Sequence, residues 1–308
     1  DKQQIKRFDS DAKHIAKDSE TLWRAKNVRL PADFKSLLSD RLKSYQMSPT
    51  HVNSFIDLEN AGPDIFLDTT ILRFPQAPNA SGEYGTAIHN TLEWYQNAVS
   101  TGKTPSQEDL QQHFTSEINR RYLTDTDRKH IREKGMFALQ KYLQNRVVMF
   151  SLPAKAEVNF YSEGVVLEGA RLSGKIDRLE IDDTAKTVRI VDYKTGKPLK
   201  KWGNDIKSIK YKQQLYFYKF LIEGSANWKN YTVESARLEF VEPENNRSGE
   251  ITKPLFINFI DGEERKMKTL IKNIWSLIQT LDFAKAELFS KDIKGTRLFI
   301  DTLSSDLK

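Results

Sequence analysis

Residues 174–196 read "GKIDRLEIDDTAKTVRIVDYKTG", and the interpretation of this stretch decides the fold. Apolar and polar residues alternate on both sides of a polar centre at Asp183–Lys186. Two β-strands joined by a four-residue turn account for both features. That register sets Ile181 opposite Val188 and, stepping outward, Asp177 opposite Asp192, with β-carbons roughly 5 Å apart. Along the second strand Val188, Ile190, Asp192 and Lys194 share a face, because side chains alternate. A slip of two residues would still leave both acids on one face.

Two carboxylates set directly opposite each other repel. A divalent cation between them reverses the sign, since hard cations take carboxylate oxygens. Lys194 follows on the same face, where an ammonium can orient an attacking water and stabilise charge on a pentavalent phosphorus. Acid, acid and lysine therefore point to a metal-dependent site for hydrolysing a phosphodiester. D-x-K alone is short, and a surface ion pair between Lys194 and either Asp is its plainer meaning. On the metal reading the metal-free protein carries a repulsion, and Asp177→Asn is expected to leave it no less stable.

The 308 residues are 38% hydrophobic and 11% aromatic, enough for one large domain or two smaller ones. A net charge of +6 suits an anionic partner such as nucleic acid. The chain has no cysteine, which excludes disulfides, thiolate zinc sites and cysteine-held iron–sulfur clusters. No apolar run approaches the roughly 18 residues of a membrane span, and "DKQQIKRF" is no signal peptide. The absence of an initiator Met reads as a chain cut from a longer polypeptide or trimmed.

Outward from the hairpin, the periodicity predicts helices before it and a mixture after it. "ADFKSLLSDRL" has Phe34, Leu37, Leu38 and Leu42 at helical spacing. "MSPTHVNSFIDLE" offers Ser48 as N-cap and Pro49 at the first helical position. Residues 62–84, punctuated by Pro and Gly, read as a loop or linker. Helices are expected at 86–99, about 107–122 and about 126–148, then a strand in "KAEVNFYS" at 155–162. After the hairpin come a helix at about 207–222, strands near 234–241 and 252–258, and an amphipathic helix at about 262–283; the tail stays ambiguous. The fold class is α/β or α+β, with a central mixed sheet flanked by helices. Residues 1–84 form an N-terminal helical region and linker, 85–285 the core, and 286–308 a tail.

Two more segments bear on the site. In "GTAIHNTLEWY", His89 lies at the edge of an apolar helical stripe with Glu93 one turn later. In "YKQQLYFYKF", Gln214 and Tyr218 stand at i and i+4 on one helix face. Alone, each has an ordinary packing role; in order they give G-x-x-x-H, G-x-x-D, D-x-K-T-G and Q-L-x-x-Y. With these four motifs the chain resembles the RecB-type branch of the PD-(D/E)XK nuclease superfamily over roughly residues 47–285. "MSPTHVNSFIDL" is similar to the first helix of that family.

The resemblance implies a restriction-endonuclease-like core and Mg²⁺- or Mn²⁺-dependent DNA cleavage, with His89, Asp177, Asp192 and the Tyr193 backbone carbonyl as metal ligands. It also implies Lys194 as catalytic lysine, with Gln214 and Tyr218 lining the site and touching DNA. It further implies a cytoplasmic exo- or endonuclease in DNA repair, working on single strands delivered by a superfamily 1 helicase. Ile176 replaces the family's Pro. The four cysteines of many relatives are absent, so no iron–sulfur cluster is expected and other packing must tie the N-terminal helices to the tail.

The run "KPLKKWGNDIKSIKYK" holds Lys197, Lys200, Lys201, Lys207, Lys210 and Lys212 against one acid, Asp205. It is expected to border the site, its lysines engaging phosphates and Trp202 stacking on an unpaired base; a solvated face is the plainer alternative. Glu93, Glu157 and Glu168 read as structural, with a supporting place behind the ligands as the alternative. Two other functions stay open: a DNA-binding module without activity, and a stand-alone restriction-type endonuclease.

Overall fold

The computed structural model describes residues 34–245 and 249–305. The polar stretch expected to be partly helical over 1–33 lies outside the described residues. The chain divides into two compact units, residues 1–44 and 45–308. In the first, the expected stripe forms two short helices, α1 (Phe34–Leu37) and α2 (Ser39–Ser44).

The second unit begins with α3 (Pro49–Ile56), where Ser48 caps as expected by accepting a hydrogen bond from the His51 amide at 3.2 Å. The expected loop over 62–84 is helical in its first half. Gly62, at φ +83°, reverses the chain into α4 (Gly62–Phe66), and a π-helical turn follows at Leu67–Ile71. Pro63 costs nothing in a first turn, and Phe66 and Ile71 are drawn into the core. Only residues 72–79 remain irregular before α5 (Ala80–Ser100), capped by Asn79. α6 (Gln107–Asn119) and α7 (Asp125–Phe150) complete the helical front.

The sheet runs β1 (Ala154–Asn159), β4 (Lys175–Asp182), β5 (Thr187–Lys194), β6 (Thr232–Phe240), β7 (Leu255–Ile257), in that spatial order. Between β1 and β4 the chain makes a separate small ribbon of β2 (Val166–Leu167) and β3 (Ala170–Arg171). All neighbours in the main sheet are antiparallel except β5 and β6. That parallel pair needs a crossover, supplied by α8 (Ile206–Gly224), which packs on β5 and β6. The sheet is therefore mixed, as expected.

β4 and β5 are central and buried on both faces. Ile176, Leu179 and Ile190 are among their apolar side chains with no exposure. Against the α5–α7 layer the buried set includes Val191 and Tyr193 together with Tyr84, Ile88, Phe114, Leu139, Tyr142 and Phe150. The long helix α9 (Asp261–Thr280) and the ambiguous tail follow. The tail resolves into a 3₁₀ turn (Ala284–Leu288) and α10 (Ile293–Leu303). The packing that ties α3 to this tail is aromatic: Phe55 contacts Phe66, Phe283 and Phe299 at ring distances of 5.4, 5.6 and 6.2 Å.

One buried charge network stiffens the centre of the sheet. Arg178 is 0% exposed; it pairs with Glu180 and donates to Gln96 Oε1 at 2.8 Å and to the Met149 carbonyl. Arg237 donates to both Glu180 oxygens at 2.7 and 3.1 Å and to Glu239 at 2.9 Å, and Arg146 reaches Glu239 at 3.2 Å. Removing one member leaves a desolvated charge without its partner, which costs about 3–5 kcal/mol. Chemical denaturation of Glu180→Gln should show a loss of that size. Glu234→Gln, which breaks the exposed Arg189 pair, should stay within about 1 kcal/mol.

Candidate active site

The hairpin register is as the sequence predicts: Ile181 pairs with Val188, and the ladder continues to Arg178 opposite Val191. There the backbone ladder ends. One step further Asp177 sends its carboxylate to β5, where Oδ2 accepts the Tyr193 amide hydrogen at 2.7 Å. Asp177 and Asp192 are 7% and 1% exposed.

The third carboxylate comes from β1. The pairs Ala156–Arg178 and Val158–Ile176 bracket Glu157, setting it across from Asp177. Glu157 has φ +50°, a left-handed conformation unusual for a residue with a side chain, and such strain gathers at functional sites. α5 then brings His89, whose Nδ1 lies 3.2 Å from Asp177 Oδ1. His89, Glu157 and Asp177 each offer a ligand atom within 4.8 Å of the others. One imidazole nitrogen and two carboxylate oxygens suit a divalent cation such as Mg²⁺ or Mn²⁺.

Asp192 stands beside this group, and Lys194 Nζ lies 2.7 Å from its Oδ2. The same ammonium donates to Gln214 Oε1 at 2.7 Å, and Gln214 Nε2 donates to the Tyr218 hydroxyl at 2.7 Å. The Tyr211 ring completes the surround, its centre 4.6 Å from Lys194 Nζ. Gln214 and Tyr218 are thus on one helix face and reach the lysine two residues beyond Asp192.

Electrostatics differ from the sequence expectation of unrelieved repulsion. Burial disfavours a charged His89, but the adjacent Asp177 carboxylate outweighs it and raises the imidazole to about 9. Burial likewise opposes charge on Asp177, yet His89 and Lys194 hold it below its ordinary value. For Asp192, burial and the charge on Asp177 outweigh Lys194 and raise it. Each opposed acid therefore already faces a cation.

The basic run is less uniform than its sequence. Asp205 caps α8 by accepting the Ser208 amide hydrogen at 2.9 Å. Lys210 pairs with Asp57, at the C-cap of α3, and Lys200 with Glu244. Lys207 Nζ donates to the Lys197 carbonyl at 2.9 Å, and Lys212 lies 5.8 Å from the Trp202 ring. The Trp202 indole donates to the Phe256 carbonyl at 2.7 Å. Among the described residues Lys201, Lys207 and Lys212 have no carboxylate partner.

Sequence reasoning set Glu157 aside as structural. Its only local signal is alternation: Lys155, Glu157 and Asn159 form the polar face of a strand, the usual mark of solvent. That β1 pairs with β4, and at which register, is a long-range fact.

The family model of the PD-(D/E)XK nuclease superfamily matches residues 47–292. The chain belongs to this superfamily, and its mixed sheet flanked by helices is the corresponding restriction-endonuclease-like fold. Among curated proteins, none matches the sequence. No helix of the described residues is long and apolar enough to cross a membrane.

Two outcomes follow from the pairing of His89 with Asp177. Because the imidazole is raised, the stability it contributes is fully present below about pH 6.5 and is lost as pH rises through about 9. The gap in melting temperature between wild type and His89→Gln should narrow over that window. Asp177→Asn should destabilise the metal-free protein by about 1–3 kcal/mol in denaturant titrations, contrary to the expectation from repulsion alone.

Proposed function

We propose that the chain is a divalent-metal-dependent DNA nuclease of the RecB-type branch, acting on single strands delivered by an associated helicase in DNA repair. The observation that carries the proposal is the convergence of His89, Glu157, Asp177 and Asp192 with a fully tethered Lys194 at one end of β4–β5. The helicase and repair context rests on the motif order alone.

In this reading His89, Asp177, Asp192, the Tyr193 carbonyl and Glu157 hold Mg²⁺ or Mn²⁺. When bound, the metal supplies Lewis acidity to the scissile phosphate and lowers the pKa of a coordinated water. The chain does the rest. Lys194, fixed by Asp192 and Gln214, presents its ammonium to the phosphoryl oxygens, where charge accumulates as water oxygen bonds to phosphorus and the P–O bond to the leaving alkoxide breaks. Tyr218 orients the Gln214 amide so that its oxygen faces the lysine. Lys201, Lys207 and Lys212 attract the phosphate backbone, with Trp202 as a fixed stacking wall.

A module that only binds DNA has no use for this tethered lysine beside buried acids, which favours the enzyme. The test is incubation with single-stranded, duplex and circular DNA in Mg²⁺, Mn²⁺ or chelator. Metal-dependent cleavage is expected, and Asp192→Asn and Lys194→Gln should each lower it at least about 100-fold with DNA affinity largely kept. Full activity in both variants would remove the proposed site. Neutralising Lys201 and Lys207 together should lower the salt dependence of DNA binding by up to about two units of slope. Neutralising Lys210 should instead cost stability, since it frees the buried Asp57.

A further inference from the structure

Lys175 has no place in the chemistry above, yet it stands at the same remove from Asp177 as Lys194 does from Asp192. Extended outward, the hairpin register sets Lys175 across from Lys194, so two ammonium groups stand opposite each other just beyond the opposed acids. Like charges so placed need separate partners. Lys194 has Asp192, and Lys175 Nζ pairs with Glu157 Oε2, the strand neighbour that also belongs to the candidate metal group.

The two partnerships differ in kind. Lys194 is enclosed, with its side chain 15% exposed, whereas the Lys175 side chain is 54% exposed and Glu157 is 7% exposed. A half-exposed ion pair on a long flexible stem is weak and easily exchanged. Glu157 is thus a buried acid with a left-handed backbone, aimed at Asp177 and His89 and covered by a cation that can leave at little cost.

Resting on the nuclease reading, we propose that Lys175 is a second substrate lysine. In the free protein its ammonium occupies Glu157. Once Glu157 is claimed by a divalent cation, Lys175 is released to a phosphate beside the scissile one on the bound strand. The exchange links the two events: the ligand that completes the metal group frees the contact that grips the substrate, on the β1 side of the acids. Glu93, whose charge also reaches Lys175, is the competing destination for the released ammonium.

The experiment has a binding arm without DNA and one with it. Mn²⁺ affinity of the whole chain, read from the electron paramagnetic resonance of free Mn²⁺, should rise in Lys175→Met by up to about fivefold, the ceiling for a half-exposed pair. In a Glu157→Gln background the same substitution should change nothing, which separates exchange at Glu157 from a general effect of charge. Unchanged Mn²⁺ affinity in Lys175→Met, or an equal gain in both backgrounds, overturns the proposal. With Ca²⁺ in place of Mg²⁺, binding of a single-stranded oligonucleotide should lose about 0.7 of salt slope in Lys175→Met and keep it in Lys175→Arg. Without metal, wild type and Lys175→Met should share one slope. Equal slopes with Ca²⁺ would mean that the freed ammonium goes to Glu93 and not to phosphate, which also overturns the proposal. If wild type cleaves no DNA the nuclease reading fails, and the Mn²⁺ arm still decides whether Lys175 guards Glu157.

Discussion

The constraint on which the site depends is the confinement of three carboxylates to neighbouring positions on β1, β4 and β5. Glu157, Asp177 and Asp192 come from adjacent strands and are each largely out of water. Such a row is strongly unfavourable unless cations answer it. The metal-free protein answers with Lys175, His89 and Lys194, one to each acid. The site is thereby nearly neutral at rest, with three cations set against three acids.

The opposite face of the same strands carries the Arg178, Glu180, Arg237 and Glu239 network, equally buried and fully paired. Because side chains alternate, Asp177 and Arg178 are consecutive residues pointing to opposite layers. Each network fixes the pleat that the other needs. A rotation of β4 that loosened Arg178 would also displace Asp177, so the geometry of the site draws on the stability of the charge network beneath it.

α8 gives the site its second wall and also makes the topology possible. It is the crossover that lets β5 and β6 run parallel, and it starts at a cap, Asp205, within the lysine-rich connection. Its face at Tyr211, Gln214 and Tyr218 meets the end of β5 where Lys194 emerges. Lys210, held by Asp57, fastens the same helix to α3. The lysine is therefore oriented by a helix whose position is set by strand pairing on one side and an ion pair on the other.

Local sequence determined a large part of this. The hairpin register, the opposition of Asp177 and Asp192, the alternation that adds Lys194, and the i, i+4 placement of Gln214 and Tyr218 all follow from short-range periodicity, which sterics enforce within a few residues. Ser48 as a cap and the amphipathic α9 are legible for the same reason. Tertiary structure alone decided the rest. The helix at Gly62–Phe66 forms in a stretch rich in breakers because Phe66 finds a buried place beside Phe55. Lys210 and Lys200 leave the basic run for acids about 150 and about 45 residues away. Glu157 joins the candidate metal group, and Lys175 pairs with it, only because β1 adds to the edge of β4 at one particular register. Pairings of this kind join residues far apart in the chain, and no local pattern records them.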